Sequence, residues 1–99
     1  MKKSYVYFLT NKNNTVIYIG VTSNLNQRIY QHKIGYYNGF SKKYNCNKLI
    51  YFEEFDSIDE AINREKQLKS GNRKRKESLI NTMNIEWKDL SESWILNTN

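Results

Sequence analysis

Residues 1–52 of this 99-residue chain contain eight Lys and Arg and no Asp or Glu; all ten acidic residues lie at Glu53 or beyond. The N-terminal half therefore sets up an uninterrupted positive field, and phosphate is the partner such a field favours. A solvated lysine-rich surface gives the same count, so charge alone leaves both readings open. Only Cys46 carries sulfur able to pair, which excludes a disulfide framework and fits a reducing compartment. There is no apolar run near 18 residues and no signal-peptide pattern, so a membrane partner is not expected and the expected location is cytoplasmic. With no proline and four glycines, nothing reads as a Pro/Gly/Ser linker, and no repeat is visible. One domain over 1–99 is expected. A chain of this length buries about 60–70% of the surface its unfolded form exposes. Its apolar fraction of 38% is low, but 14% aromatic residues partly compensate because each ring buries a large area.

The chain contains two β-branched, apolar runs, Tyr5 to Thr10 and Val16 to Val21, joined by Asn11 to Asn14, whose asparagines tolerate left-handed turn geometry. A four-residue loop would pair Thr10 with Thr15 and set Tyr7 opposite Tyr18 on one face. Gly20 stands near the end of the second run. Thr22, Ser23 and Asn24 then offer N-cap side chains to a helix over Asn24 to Lys33 that stops at Gly35. Arg28 and His32, four apart, share a face of that helix beside Leu25 and Ile29. A phenol, a guanidinium and an imidazole are thereby brought together, although two tyrosines make a good core pair and a histidine beside an apolar stripe is commonly a hydrogen-bonded core residue.

From Gly35 to Lys48 rings and cations mix without a period: Tyr36, Tyr37, Phe40, Lys42, Lys43, Tyr44, Lys48. This suits a loop that stacks bases and tracks phosphates, or equally one folded over the sheet with its tyrosines inward. Leu49 to Phe55 reads as a third strand. Ser57-Ile58-Asp59-Glu60 is a capping box opening a second helix. On its wheel Ile58, Ala61, Ile62 and Leu68 form the apolar arc with Glu65 in its middle. A buried carboxylate must be protonated, salt-bridged or metal-bound, and Arg28 is the expected ion-pair partner. After Gly71 and Asn72, Arg73-Lys74-Arg75-Lys76 opens a third helix. Four cations there oppose the macrodipole, pointing to contact with backbone phosphates or to a solvated face. Ile85, Trp87, Leu90 and Trp94 are expected to close the core.

Tyr5-Val6-Tyr7, Tyr18-Ile19-Gly20, Arg28, Glu65, the segment Arg64 to Lys69 and the ending Asn84 to Ser91 together resemble the GIY-YIG nuclease family, in particular its small stand-alone bacterial proteins. The leading Gly-Ile of the first half-motif is replaced by Tyr5-Val6. The resemblance implies an α/β (α+β) domain with a small three-stranded, mainly antiparallel sheet flanked by helices, a catalytic core over about 4–83 and a Trp-containing segment over 84–99. It implies a nuclease domain like that of the incision subunit of bacterial nucleotide-excision repair, hence a role in DNA repair. The tyrosine of the second half-motif as general base carries over to Tyr18, the phosphate-binding arginine to Arg28 and the metal-binding glutamate to Glu65, with Tyr7 and His32 as supporting site residues.

Chemically, Arg28 can hold non-bridging phosphate oxygens through its fork. Glu65 can take one position on a single Mg²⁺ (or Mn²⁺) otherwise ligated by water and phosphate. Tyr18 or His32 could accept the proton of water, the imidazole being the easier base on ordinary pKa values. The expected function is a divalent-metal-dependent DNA endonuclease selecting structure over sequence, with Lys42, Lys43, Tyr44, Arg73, Lys74, Arg75 and Lys76 on the nucleic acid, DNA ahead of RNA. Larger relatives append a DNA-binding domain or partner, so a protein partner or a dimer could supply extra affinity. Two alternatives stand: a nucleic-acid-binding module with little or no catalysis, and a structural protein in which an Arg28–Glu65 bridge fixes the core.

Overall fold

A computed structural model describes residues 2–36 and 39–94; Tyr37 and the last five residues of the 84–99 segment lie outside them. Three strands, β1 (Ser4–Thr10), β2 (Ile17–Thr22) and β3 (Lys48–Phe55), form an antiparallel sheet in the order β2-β1-β3. The helices are α1 (Leu25–Lys33), a single-turn α2 (Phe40–Lys43), α3 (Ile58–Lys69) and α4 (Arg73–Met83). The three-stranded sheet flanked by helices matches the expectation.

The β1–β2 register differs from the expected one by two residues. Thr10 pairs with Ile17, Leu9 with Tyr18, and Tyr7 with Gly20. The Asn11 side chain causes the difference. Its Oδ1 accepts from the Thr15 and Val16 amides (2.8 and 3.2 Å), and Nδ2 donates to the Thr15 hydroxyl. Asn14 adopts a left-handed φ of 57°. Thr15 and Val16 are thus drawn into the loop. An even shift preserves faces, so Tyr7 and Tyr18 still share a side of the sheet, as diagonal rather than directly opposed neighbours.

The two faces of the sheet carry separate cores. Val6, Phe8 and Ile19 pack with Ala61, Leu68 and Ile80, beneath α3 and α4. Tyr7 and Leu9 pack with Leu25 and Ile29 of α1, with Cys46, and with Leu90 and Trp94 beyond α4. An irregularity in the β1–β3 register, where Phe8 faces Tyr51 and Leu9 faces Leu49, leaves Ile50 as the extra residue on β3. Each fully buried aliphatic such as Ile29 or Ile80 contributes about 2 kcal/mol of apolar transfer.

Helix boundaries follow the caps. Asn24 and Ser57 accept from the Gln27 and Glu60 amides, and Asn72 from that of Arg75. After α1, Gly35 takes φ 71°, a conformation open to glycine at no steric cost. Beyond α4 the chain returns along β3, where the Leu90 amide donates to the Leu49 carbonyl and the Asp89 carboxylate accepts from the Leu49 amide. Trp87, Leu90 and Trp94 pack on the cores as expected. Ile85 does not: it is 73% exposed, because the turn after α4 aims it away from the sheet. No described helix is long and apolar enough to cross a membrane.

Candidate active site

Strand β1 delivers Tyr7 into the interior and β2 delivers Tyr18 beside it, while α1 lays His32 over both. The ring centres form a triangle of 6.3 Å (Tyr7–Tyr18), 5.7 Å (Tyr7–His32) and 5.4 Å (Tyr18–His32). Tyr7 is fully buried, and its ring lies across Gly20, where an added Cβ would stand 2.4 Å from the hydroxyl. The glycine of Tyr18-Ile19-Gly20 thus makes room for the tyrosine of the other strand.

Both imidazole nitrogens of His32 are engaged. Nε2 is 3.0 Å from the Tyr7 hydroxyl and Nδ1 is 3.1 Å from the Ser41 hydroxyl at the start of α2. A neutral ring offers one donor and one acceptor, which two hydroxyls can satisfy in either sense. Burial, and secondarily the Arg28 charge, lower the His32 pKa to about 4. The ring is therefore neutral at pH 7 and a much weaker base than a free imidazole.

Arg28 is half-buried one turn before His32 and donates from Nη1 to the Val21 carbonyl at 3.3 Å. Tyr18 is half-buried, and its ring stacks on Phe40 at 6.3 Å and 25°. Together with Ile17, Ile19, Lys69 and Lys76, these two rings line a cleft of about 260 Å³. The cleft wraps around the outer edge of β2. Tyr18 and Phe40 come from the α1 side of the sheet, and Lys69 and Lys76 from the α3–α4 side.

Glu65 is on α3 with its side chain 20% exposed, and its Oε2 is 3.0 Å from Lys69 Nζ. It sits at the margin of the apolar face instead of its middle, and the ion pair with Lys69 replaces the expected bridge to Arg28. The cause is topological: α1 and α3 cover opposite faces of the sheet.

The donor set fits one kind of metal. No cluster of three or more His, Cys, Asp or Glu occurs among the described residues, so a fully protein-ligated or bridged two-metal site does not fit. A single hydrated Mg²⁺ or Mn²⁺ does, since magnesium is commonly held by one or two carboxylates. The Glu65 carboxylate is already ion-paired to the ammonium of Lys69, which lines the cleft.

The expected nucleic-acid residues divide into three groups. Lys42, Lys43 and Tyr44 are exposed on and just after α2, where Tyr44 packs on Phe40 at 4.7 Å and Lys43 lies over the Tyr44 ring. Lys74 and Arg75 are exposed on α4, and Lys76 faces the cleft. Arg73 is committed elsewhere. It donates to the Asn14 and Thr15 carbonyls, pairs with Glu77 and stacks over Trp87, tying α4 to the β1–β2 loop.

Three residues were missed by sequence reasoning as site residues. Lys69 had a signal, its i,i+4 spacing from Glu65. Phe40 was visible only as one ring among several, and Ser41 had no signal because its partner His32 is nine positions away. A wider depression of about 620 Å³ beside Tyr5, Phe52 and Trp94 is lined by none of the Tyr7, Tyr18, Arg28, His32 or Glu65 side chains.

Residues 3–78 match the family model of the GIY-YIG catalytic domain. The chain is 36% identical over 81 residues to a UPF0213 protein of Syntrophus aciditrophicus, covering 81% of this chain and 92% of that one. It is 38% identical to a UPF0213 protein of Clostridium perfringens, covering 84% and 88%. The solution NMR structure of a UPF0213 protein from Bacillus halodurans superposes with a TM-score of 0.56 at 26% identity, over 92% of this chain and 97% of that one. The glycine that admits Tyr7, the tyrosine pair and the arginine one turn before the histidine thus lie within a matched catalytic domain, and the chain belongs to the GIY-YIG family.

Proposed function

We propose that the protein is a divalent-metal-dependent endonuclease that hydrolyses DNA phosphodiester bonds and selects its substrate by structure more than by sequence, acting in the cytoplasm and in DNA repair. The observation that carries this reading is the packing of buried Tyr7 and His32 against Tyr18, which itself lines a cleft shared with Lys69, the ion-pair partner of Glu65.

In this reading Arg28 takes the non-bridging oxygens of the scissile phosphate, exchanging its bond to the neutral Val21 carbonyl for bonds to a charged acceptor. Tyr18 Oη accepts the proton of the attacking water. His32 is the weaker candidate for that role, because both its nitrogens are occupied and its pKa is lowered to about 4 by burial and by Arg28. It instead orients Tyr7, which in turn packs against Tyr18. Glu65 would hold the metal, which when bound would supply charge neutralisation on the phosphoryl group and assistance to the departing oxygen. Lys42, Lys43, Tyr44, Lys74, Arg75 and Lys76 track the strand, with a partner or second copy able to add affinity.

A second reading, a nucleic-acid-binding module of low turnover, draws support from the same two ion-binding groups. Glu65 is engaged by Lys69, and Arg28 bonds a backbone carbonyl.

Labelled single-stranded, duplex and branched DNA with Mg²⁺, Mn²⁺ or EDTA, beside folded Glu65→Ala and Tyr18→Phe variants, separates the two. Metal-dependent cleavage lost in both variants is the expected result. Salt-sensitive binding without cleavage on every substrate would replace the nuclease with the binding module.

A further inference from the structure

Among the described residues two i,i+4 ion pairs lie on helices, and they differ in kind. Arg73–Glu77 is open on both sides, with side chains 43% and 42% exposed. In Lys69–Glu65 the ammonium is 54% exposed and the carboxylate only 20%. The acid is held by its surroundings while the base is free to swing on a four-carbon stem. The carboxylate is the candidate metal ligand, and the ammonium lines the cleft that holds Tyr18.

We propose that Lys69 is a built-in counter-ion for Glu65: it occupies the carboxylate in the resting protein, a divalent cation must displace it, and residue 69 thereby sets the metal affinity of the site. This deepens the assignment of Glu65 as the metal carboxylate and rests on it. The exposed ammonium end lets the pair open by swinging the lysine stem alone, leaving the carboxylate in place. The released ammonium remains in the cleft beside Lys76, where its three donors can meet a phosphate oxygen. The exchange couples the two ligands. Cation alone leaves two like charges side by side, whereas cation and phosphate together give each charge a partner.

The test measures Mn²⁺ binding to the protein without nucleic acid, by the paramagnetic resonance signal of free Mn²⁺. The variants are Lys69→Met, Lys69→Arg, Lys66→Met and Glu65→Ala, each checked for folding by circular dichroism. Lys69→Met is expected to bind Mn²⁺ roughly three- to tenfold more tightly than the unsubstituted protein. Lys69→Arg, which keeps the charge, is expected to match the unsubstituted protein. Lys66→Met, an equal charge loss on the exposed side of α3, is expected to change affinity less than twofold, and Glu65→Ala to abolish binding. Equal tightening by Lys66→Met and Lys69→Met, or Glu65-dependent binding unchanged in Lys69→Met, overturns the counter-ion role and leaves Glu65 as the metal residue. No Glu65-dependent binding in either the unsubstituted protein or Lys69→Met removes the metal assignment and this proposal with it.

Discussion

Gly20 and Tyr7 are matched in space: a Cβ on Gly20 would lie 2.4 Å from the Tyr7 hydroxyl and 2.5 Å from the carbon that bears it. Tyr7 cannot retreat, because it is fully buried and bonded to His32. A small substitution on β2 therefore acts on the ring packed against Tyr18.

Gly20→Ala is expected to destabilise the fold by about 1–3 kcal/mol through overpacking and to lower any nuclease activity with it. Gly71→Ala is the control. Its Cβ would meet nothing nearer than 3.5 Å, so a change within about 0.5 kcal/mol is expected. Urea unfolding of both variants checks the contrast, and equal stability of the two would contradict the packing argument.

Acid lability is expected from His32. Its pKa is lowered to about 4 in the folded chain, by burial first and the Arg28 charge second, against about 6.5 when unfolded. The unfolded chain thus binds this proton more tightly. The stabilisation is complete above pH 6.5 and lost as pH falls from there to about 4, amounting to about 2–3 kcal/mol. Unfolding free energies between pH 7 and pH 4 check it: a folded His32→Gln variant is expected to lose that part of the slope, and a slope unchanged by the substitution would rule His32 out as its source.

Arg73 and Lys74 are adjacent but predicted to behave differently. Arg73 is tied to Asn14, Thr15 and Glu77, so Arg73→Met is expected to lower stability by about 1 kcal/mol with little change in the salt dependence of DNA binding. Lys74→Met is expected to leave stability within about 0.5 kcal/mol and to reduce the slope of log affinity against log salt by about 0.9 if it neutralises one duplex phosphate. Melting curves and salt titrations distinguish them.

Much of the fold was legible because local signals and the hydrophobic pattern agreed. Ser57 caps α3 as its capping box reads, Asn24 is the one of three offered side chains that caps α1, and apolar runs marked the strands. The hairpin register was not legible, since it depends on which amides the Asn11 side chain captures. Nor was the partner of Glu65: a helical wheel gives direction around one axis, but not which face of the sheet that axis covers. At the candidate site, Tyr7, Tyr18 and His32 could be placed together from spacing. Ser41 and Phe40 could not, because the turn of α2 that presents them has too short an apolar pattern to read.

The order β2-β1-β3 leaves two strand borders, and they are finished differently. The β3 border is sealed by the returning C-terminal segment, through the Leu90 amide and the Asp89 carboxylate. Among the described residues the β2 border has no neighbouring strand, and the cleft with Lys69 and Lys76 opens along it. An open backbone border invites a foreign strand to add to the sheet, and lysines are a common deterrent. The cations suited to a polyanion therefore also guard against self-association. Neutralising both is expected to expose the sheet to edge-to-edge stacking between copies, so under the proposed function solubility and nucleic-acid affinity would depend on the same pair of side chains.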